Sequence, residues 1–412
     1  MIRAAFFLFI AADAFSSAFL PVHARGLSAA SPMIISGISQ GFASGAPISA
    51  FWLMVAAAQL TAGFWERGRD HRTLLLGAML MSSAALAMAG IAGTIEGLIL
   101  WRAMGGFGYG VAMMLVQDRI LRTMGPKART QASGNYLSAF FAGTICGTFA
   151  GSEIAGLIGY SGTFLAAAAV SGCAVVLATF VSAHRETKAR QPFQPLVLLR
   201  NPAFLALAVL AAVPSRLLIA GFLYFLVPLH LHDAGLSPAE TARVVMIYSL
   251  ILATTTLAWS RLIDRMGRPL LFTVLGLAAS AAAMLVIPIG PPGIWGAIAA
   301  VALLGMSQAM GMSPQVTVLF QVARSEMDRF GATPVLGIYR VCERVGLFAG
   351  PLVAAWLMGD HGYEGTMVVL GAMAAISVFA LLAAFAIAGA LHPPPDPDER
   401  GAQVAPEQET VA

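Results

Sequence analysis

Ser260-Arg261-Leu262-Ile263-Asp264-Arg265-Met266-Gly267-Arg268-Pro269 is a charged break between two long apolar runs. Each flanking run is about long enough to cross a bilayer, which takes about 20 apolar residues in a helix. A degraded copy of the break lies in the first half of the chain, as Glu66-Arg67-Gly68-Arg69-Asp70-His71-Arg72. Two copies of one short polar break, in two halves of a very apolar chain, point to a duplicated membrane protein. The composition agrees. Hydrophobic residues make up 58% of the chain and charged residues 11%, with a mean hydropathy of +0.80. A soluble chain carries about 25% charged residues, so lipid must solvate much of this one. The net charge of +4 would suit a nucleic-acid partner, but the basic residues are scattered through short connections and form no patch. No nucleic-acid partner is expected.

Apolar runs and polar breaks divide the chain into twelve candidate spans: 4–24, 44–65, 73–92, 95–117, 133–157, 161–183, 203–230, 239–259, 270–288, 294–322, 332–358 and 365–391. Asp13 sits where a signal peptide would be wholly apolar, so the first run is read as a spanning helix. Residues 25–43 are expected to form a longer, partly helical external connection. Lys and Arg set the orientation. Of the 24 cations, only Arg25 and Arg243 fall in the connections of one side. Four more, Arg102, Arg216, Arg340 and Arg344, fall inside spans. All the others lie on the opposite side with both termini and both charged breaks, which makes that side cytoplasmic. The expected organisation is a six-helix bundle over 1–183, a cytoplasmic linker over 184–202, a second bundle over 203–391 and a disordered acidic tail over 392–412. Cys146, Cys173 and Cys342 have no metal-binding spacing and are read as packing residues.

The halves repeat at three places about 200 residues apart. Leu20-Pro21-Val22-His23 matches Val227-Pro228-Leu229-His230, Glu66-Arg67 matches Asp264-Arg265, and Gly143-xxx-Gly147 matches Gly346-xxx-Gly350. With this repeat and twelve spans, the chain resembles a transporter of the major facilitator superfamily. Asp264-Arg265-Met266-Gly267-Arg268 matches the cytoplasmic hinge of that family, D-R-x-G-R/K. The first-half copy keeps the acid–base pair but has Arg69 where Gly is usual and Asp70 where a base is usual. Trp101-Arg102-Ala103-Met104-Gly105-Gly106-Phe107-Gly108 resembles the family's fourth-helix motif, an intramembrane Arg followed by a Gly-rich step. These glycines follow no strand, so they do not read as a phosphate loop. Gly143 to Ser152 partly matches the antiporter motif G-x-x-x-G-P-x-x-G-G, with Thr148 in place of Pro and Ser152 in place of the last Gly. The resemblance implies an all-α membrane fold of two pseudo-symmetric six-helix bundles with both termini cytoplasmic. It also implies a gating hinge of Glu66, Arg67, Asp264, Arg265, Gly267 and Arg268. The alternative is that these residues only fix topology.

Charges inside spans are the best candidates for function, because each costs about 2.5–3.5 kcal/mol at mid-bilayer. Asp13 lies ten residues from Arg3, about 15 Å along a helix and near the midplane. In the fold that the chain resembles, helices one and four both line the central cavity. Asp13 and Arg102 are therefore expected to face each other. They would couple protons to the transport cycle, or else form a static salt bridge. Glu153 is a candidate second proton site, or a group reaching outer water. Arg216 and Gln308 are candidates, with Asp13 and Arg102, for the substrate cavity. A snorkelling Arg216 is the alternative. Arg340, Glu343 and Arg344 form a candidate polar cluster at the inner mouth, either gating or structural.

The reading is a secondary active transporter that moves a small organic solute by alternating access, with proton-coupled export favoured. Uptake or exchange of an organic anion is the first alternative, because buried Arg outnumbers buried acid. A non-transporting sensor or scaffold is the second. No catalytic constellation, ATP-binding loop, metal site or cofactor is expected. The expected partners are membrane lipid, protons and the solute, and the expected state is a monomer in the cell membrane, a bacterial inner membrane.

Overall fold

A computed structural model describes residues 2–30, 40–65, 70–123, 129–180, 195–290 and 293–387. Glu66 and Arg67 of the first hinge, most of the linker and the acidic tail lie outside them. All regular elements among these residues are helices: α1 (Ile2–Ala14), α2 (Leu20–Ala30), α3 (Gln40–Trp65), α4 (His71–Ile91), α5 (Ile95–Thr123), α6 (Arg129–Thr179), a short 3-10 turn (Pro195–Arg200), α7 (Pro202–Asp233), α8 (Pro238–Met266), α9 (Pro269–Ile289), α10 (Ile294–Val322), α11 (Arg324–Phe330) and α12 (Ala332–Ile387). Helix is the expected outcome for such a sequence, because backbone groups in lipid must be satisfied within their own segment.

Nine helices among the described residues are long and apolar enough to cross a membrane. Two of them, Tyr136–Thr179 and Pro334–Ile387, run to 44 and 54 residues. Each is long enough for two crossings. Each is also interrupted by a glycine with positive φ, Gly159 at 75° and Gly362 at 65°. The expected span pairs 133–157/161–183 and 332–358/365–391 meet at these two glycines.

The first run departs from expectation. It is not one helix over 4–24, because a turn separates α1 from α2. The backbone tightens there to three-residue spacing, with Phe15, Ser17 and Phe19 donating to the carbonyls of Ala12, Ala14 and Ser16. Two causes are local. Pro21 cannot donate to the Ser17 carbonyl. The Ser16 and Ser17 hydroxyls also bond back to the carbonyls of Asp13 and Ala14, which competes with helix. Ser17 also bonds Thr148 at 2.9 Å, so the Thr that replaces the motif Pro ties the break to α6.

α7 is unusual in another way. Two π segments, Ala208–Ala212 and Ile219–Leu226, interrupt it. Each lies just upstream of a proline, Pro214 or Pro228. A proline ring clashes with the carbonyl four residues back and offers no N–H, and a local widening relieves both problems. At its start, Asn201 accepts from the backbone N–H groups of Ala203 and Phe204. The Asn201 amide donates to the Val322 carbonyl and to Glu326 at 2.9 and 3.0 Å. Burial pushes the Glu326 carboxyl up, but hydrogen bonds from Ser325 and Asn201 outweigh it and hold the carboxyl below its ordinary value.

Close backbone approaches define the helix directions. Gly143, Gly147 and Gly151 in α6 meet Phe7, Ala11 and Phe15 in that order, so α1 and the first limb of α6 run parallel. Gly346 and Gly350 in α12 meet Val213 and Leu217 of α7 in the same sense. The second limb of α6 runs antiparallel to α4: Ser83 bonds Ser171, and Arg72 bonds the Thr179 carbonyl. The same seams therefore occur in both halves, as expected for a duplication. Small residues matter here because lipid supplies no hydrophobic drive between helices, so close packing must hold them.

The halves meet mainly at one end. There the apolar core is continuous, joining Phe19, Leu20 and Ile48 of the first half to Phe225, Leu226 and Leu229 of the second. At the other end the first half keeps a separate core around Phe6, Phe51, Met79 and Tyr109. The split end carries the Asp264–Arg268 hinge.

Candidate functional site

Asp13 is the last residue but one of α1, just before the tight turn. Arg102 stands on α5, and its Nη1 donates to Asp13 Oδ1 at 3.1 Å. The guanidinium also lies over the Phe51 ring, 4.4 Å from its centroid, an arrangement that attracts a cation to the ring face. Arg102 is buried, whereas the Asp13 carboxylate keeps 19% of its surface open. The carboxylate is thus the member of the pair that water or a proton can reach. A narrow crevice beside the pair is lined by Ser82, Ala85, Leu86, Trp101 and Gly105. The structure brings these two sequence-predicted residues into contact.

The second buried pair was not foreseen as a pair. The Arg216 guanidinium donates twice to Glu343 Oε1, once from Nε at 3.1 Å and once from Nη2. Its Nη1 points to the Met312 sulfur at 3.3 Å. Arg216 therefore has an internal carboxylate, and Glu343 reaches across to α7. No local pattern links two residues 127 positions apart; the signal was only that each is a charge inside a span. Gln308 is also committed internally. Its amide accepts from Ser215 at 2.9 Å and donates to Ser280 at 3.2 Å, fully buried among α7, α9 and α10.

Arg340 and Arg344 complete the set. No ion pair or hydrogen bond involves either side chain among the described residues. Arg344 lies over the Trp52 ring at 5.0 Å, and its Nε is buried with no partner. Trp52 belongs to α3, so this contact crosses between the halves. Arg340 is exposed one turn nearer the hinge end.

Glu153 pairs with Arg243 at 3.2 Å in an exposed bridge between α6 and α8. At the same end, Arg25 of α2 pairs with Asp233 of α7, with Nη1 to Oδ2 at 2.9 Å, and Tyr363 of α12 donates to the same carboxylate. This clamp of Arg25, Asp233 and Tyr363 was absent from the sequence expectations. A signal did exist: the side poor in cations has only Arg25 and Arg243, and each finds an acid in the opposite half. The hinge residues at the other end behave differently. Gly267 takes the left-handed conformation, φ 62°, and caps α8 by donating to the Ile263 carbonyl. Asp264, Arg265 and Arg268 are exposed, and none joins an ion pair among the described residues. In the first half, Asp70, at the position where a base is usual, caps α4 by accepting from the Thr73 N–H.

The family model of the Major Facilitator Superfamily matches residues 3–333. The chain belongs to the Major Facilitator Superfamily. Solved structures agree on the fold of this superfamily member. The human organic anion transporter TETRAN is 18% identical, with 92% of this chain and 97% of that one covered and a TM-score of 0.65. A bacterial homologue of the human lysosomal transporter Spinster, in an inward-facing and unoccupied conformation, is 15% identical over 96% and 98%, with a TM-score of 0.73. The nucleoside transporter NupG is 14% identical over 93% and 98%, also at 0.73. Together with the apolar helices, superfamily membership makes the chain a multi-pass membrane transporter.

Proposed function

We propose that this superfamily member is a secondary active carrier of a small organic solute, driven by protons, with export as the favoured direction. The observation that carries this reading is the Asp13–Arg102 pair. A carboxylate inside the membrane with one charged partner and a partly open face can alternate between ion-paired and protonated forms. Each form stabilises a different arrangement of α1 against α5. The twelve crossings and cytoplasmic termini of the sequence reading belong to the same proposal, with the hinge end facing the cytoplasm. The clamp end then faces outward and is shut, and the carrier stands open to the inside. Glu153 belongs with this outer closure through Arg243, and Asp264 is free to engage when the halves swing the other way.

The test uses protein in liposomes with a pH-sensitive dye inside and a solute panel outside. Wild type is expected to move protons when its solute moves, and Asp13→Asn to lose that proton movement while keeping solute exchange. Undiminished proton-dependent transport in Asp13→Asn would overturn the coupling role. Proton movement of reversed sign would replace export by uptake. A second reading, uptake or exchange of an organic anion, is favoured by Arg340 and Arg344 of α12, which join no ion pair among the described residues.

A further inference from the structure

The charges inside the bundle do not cancel. Asp13 is used by Arg102, and Glu343 by Arg216. Arg340 and Arg344 join no ion pair of their own among the described residues, and the one carboxylate near them, Glu343, is bonded to Arg216, so two positive charges are in excess there. They lie four residues apart on α12, so their side chains share one face of the helix. The buried, unpartnered Nε of Arg344 is costly, and the exposed Arg340 adds a second positive charge one turn away. We infer that Arg340 and Arg344 form the anion subsite of the transported solute, with Trp52 as a stacking wall, and that the solute is a small aromatic or flat organic anion.

The surroundings fit that class. Arg344 sits over the Trp52 face at 5.0 Å with its Nε unpartnered. Trp52 stands on α3 of the opposite half, so Arg344 faces the space between the halves and not the lipid. A guanidinium binds a carboxylate by a planar fork, and two of them one turn apart suit a dicarboxylate or a single anionic group held from both sides. The aromatic wall suits a flat apolar body beside that charge.

The site also touches the proposed proton pair. Phe51 and Trp52 are neighbours with rings 5.3 Å apart, edge to face. Phe51 stacks under Arg102 and Trp52 under Arg344. One short step of α3 thus links Asp13–Arg102 to the anion subsite. Filling the subsite pulls on Trp52, and protonating Asp13 frees Arg102 above Phe51.

This inference rests on the carrier reading, and its test separates the two. Binding is measured by titration calorimetry on the full chain in nanodiscs of phosphatidylcholine, which removes anionic lipid headgroups as a rival source of the same chemistry. The probes are phthalate, benzoate, succinate, benzamide and benzylammonium. Phthalate is expected to bind best and benzylammonium not at all. Arg344→Gln and Arg340→Gln are expected to weaken phthalate at least tenfold. Neither variant breaks an ion pair among the described residues, so Arg340→Gln should melt no lower than wild type and Arg344→Gln should lose only its contact with Trp52. Trp52→Leu is expected to erase the preference for phthalate over succinate while leaving succinate unchanged. Binding of benzamide or benzylammonium as tight as phthalate overturns the inference. So does a failure of every anion to bind, or wild-type affinity in both Arg variants. Flux of the same probes into liposomes is read separately. If benzylammonium crosses while no anion binds, the carrier reading stands and the anion subsite falls. If anions bind and nothing crosses, the subsite stands and the carrier reading falls.

Discussion

Arg216 and Glu343 illustrate what a buried charge pair demands. Removing one partner strands the other in a low-dielectric site, which costs about 3–5 kcal/mol. Arg216→Met and Glu343→Leu are each expected to lower the melting temperature strongly, while the double variant recovers most of the loss. Additive losses in the double variant would mean that the two side chains act independently. The same pair marks a limit of sequence reading. Arg216 was visible as a charge inside a span, and Glu343 as a charge beside two arginines. Which of them meet depends on how α7 and α12 rotate against each other, and that rotation is set by glycine seams and π segments. Asp13 and Arg102 were more legible, because two lone charges in the first bundle have few other partners to choose from.

At the scale of elements, the glycine seams carry the packing. A methyl group added at Gly147 would lie 2.2 Å from the Ala11 carbonyl oxygen, and one at Gly350 would lie 2.5 Å from that of Leu217. Overpacking of this kind costs about 1–3 kcal/mol. Gly172 has open space around it, so an added methyl there removes only a poor helix former, worth about 1 kcal/mol. Gly147→Ala is therefore expected to lower the melting midpoint in detergent, and Gly172→Ala to hold or raise it. Equal effects at the two positions would refute the seam. The long runs and their turning points were readable because lipid allows so few alternatives: Gly159 and Gly362 bend the chain where the apolar runs were expected to divide. The break at 15–19 was harder to read, because one Pro and two Ser sit inside a run whose hydropathy never falls. The π segments of α7 have no signature beyond Pro214 and Pro228.

For the whole molecule, the clamp of Arg25, Asp233 and Tyr363 and the shared core hold one end shut while the hinge end stands apart. Partly exposed ion pairs contribute about 0–1 kcal/mol, so Asp233→Asn alone is expected to shift the balance of states by at most about fivefold. Spin labels at Phe180→Cys and Met266→Cys, both exposed near the hinge end, should report a single long separation in the parent. In the Asp233→Asn background a shorter population should grow, and an unchanged distance distribution would remove the clamp from the gating account. The halves and their repeat were legible from the spacing of motifs. The clamp was not, because its three residues come from three distant segments.

The continuous core at the clamp end has a kinetic consequence. Turning the carrier over means parting packed apolar side chains as well as the clamp, and an empty carrier has nothing bound between its halves to offset that. The return of the unloaded carrier should then limit turnover. Solute on both faces spares that step, so exchange of labelled for unlabelled solute is expected to run faster than net flux down the same gradient. Equal rates in the two assays would place the slow step elsewhere.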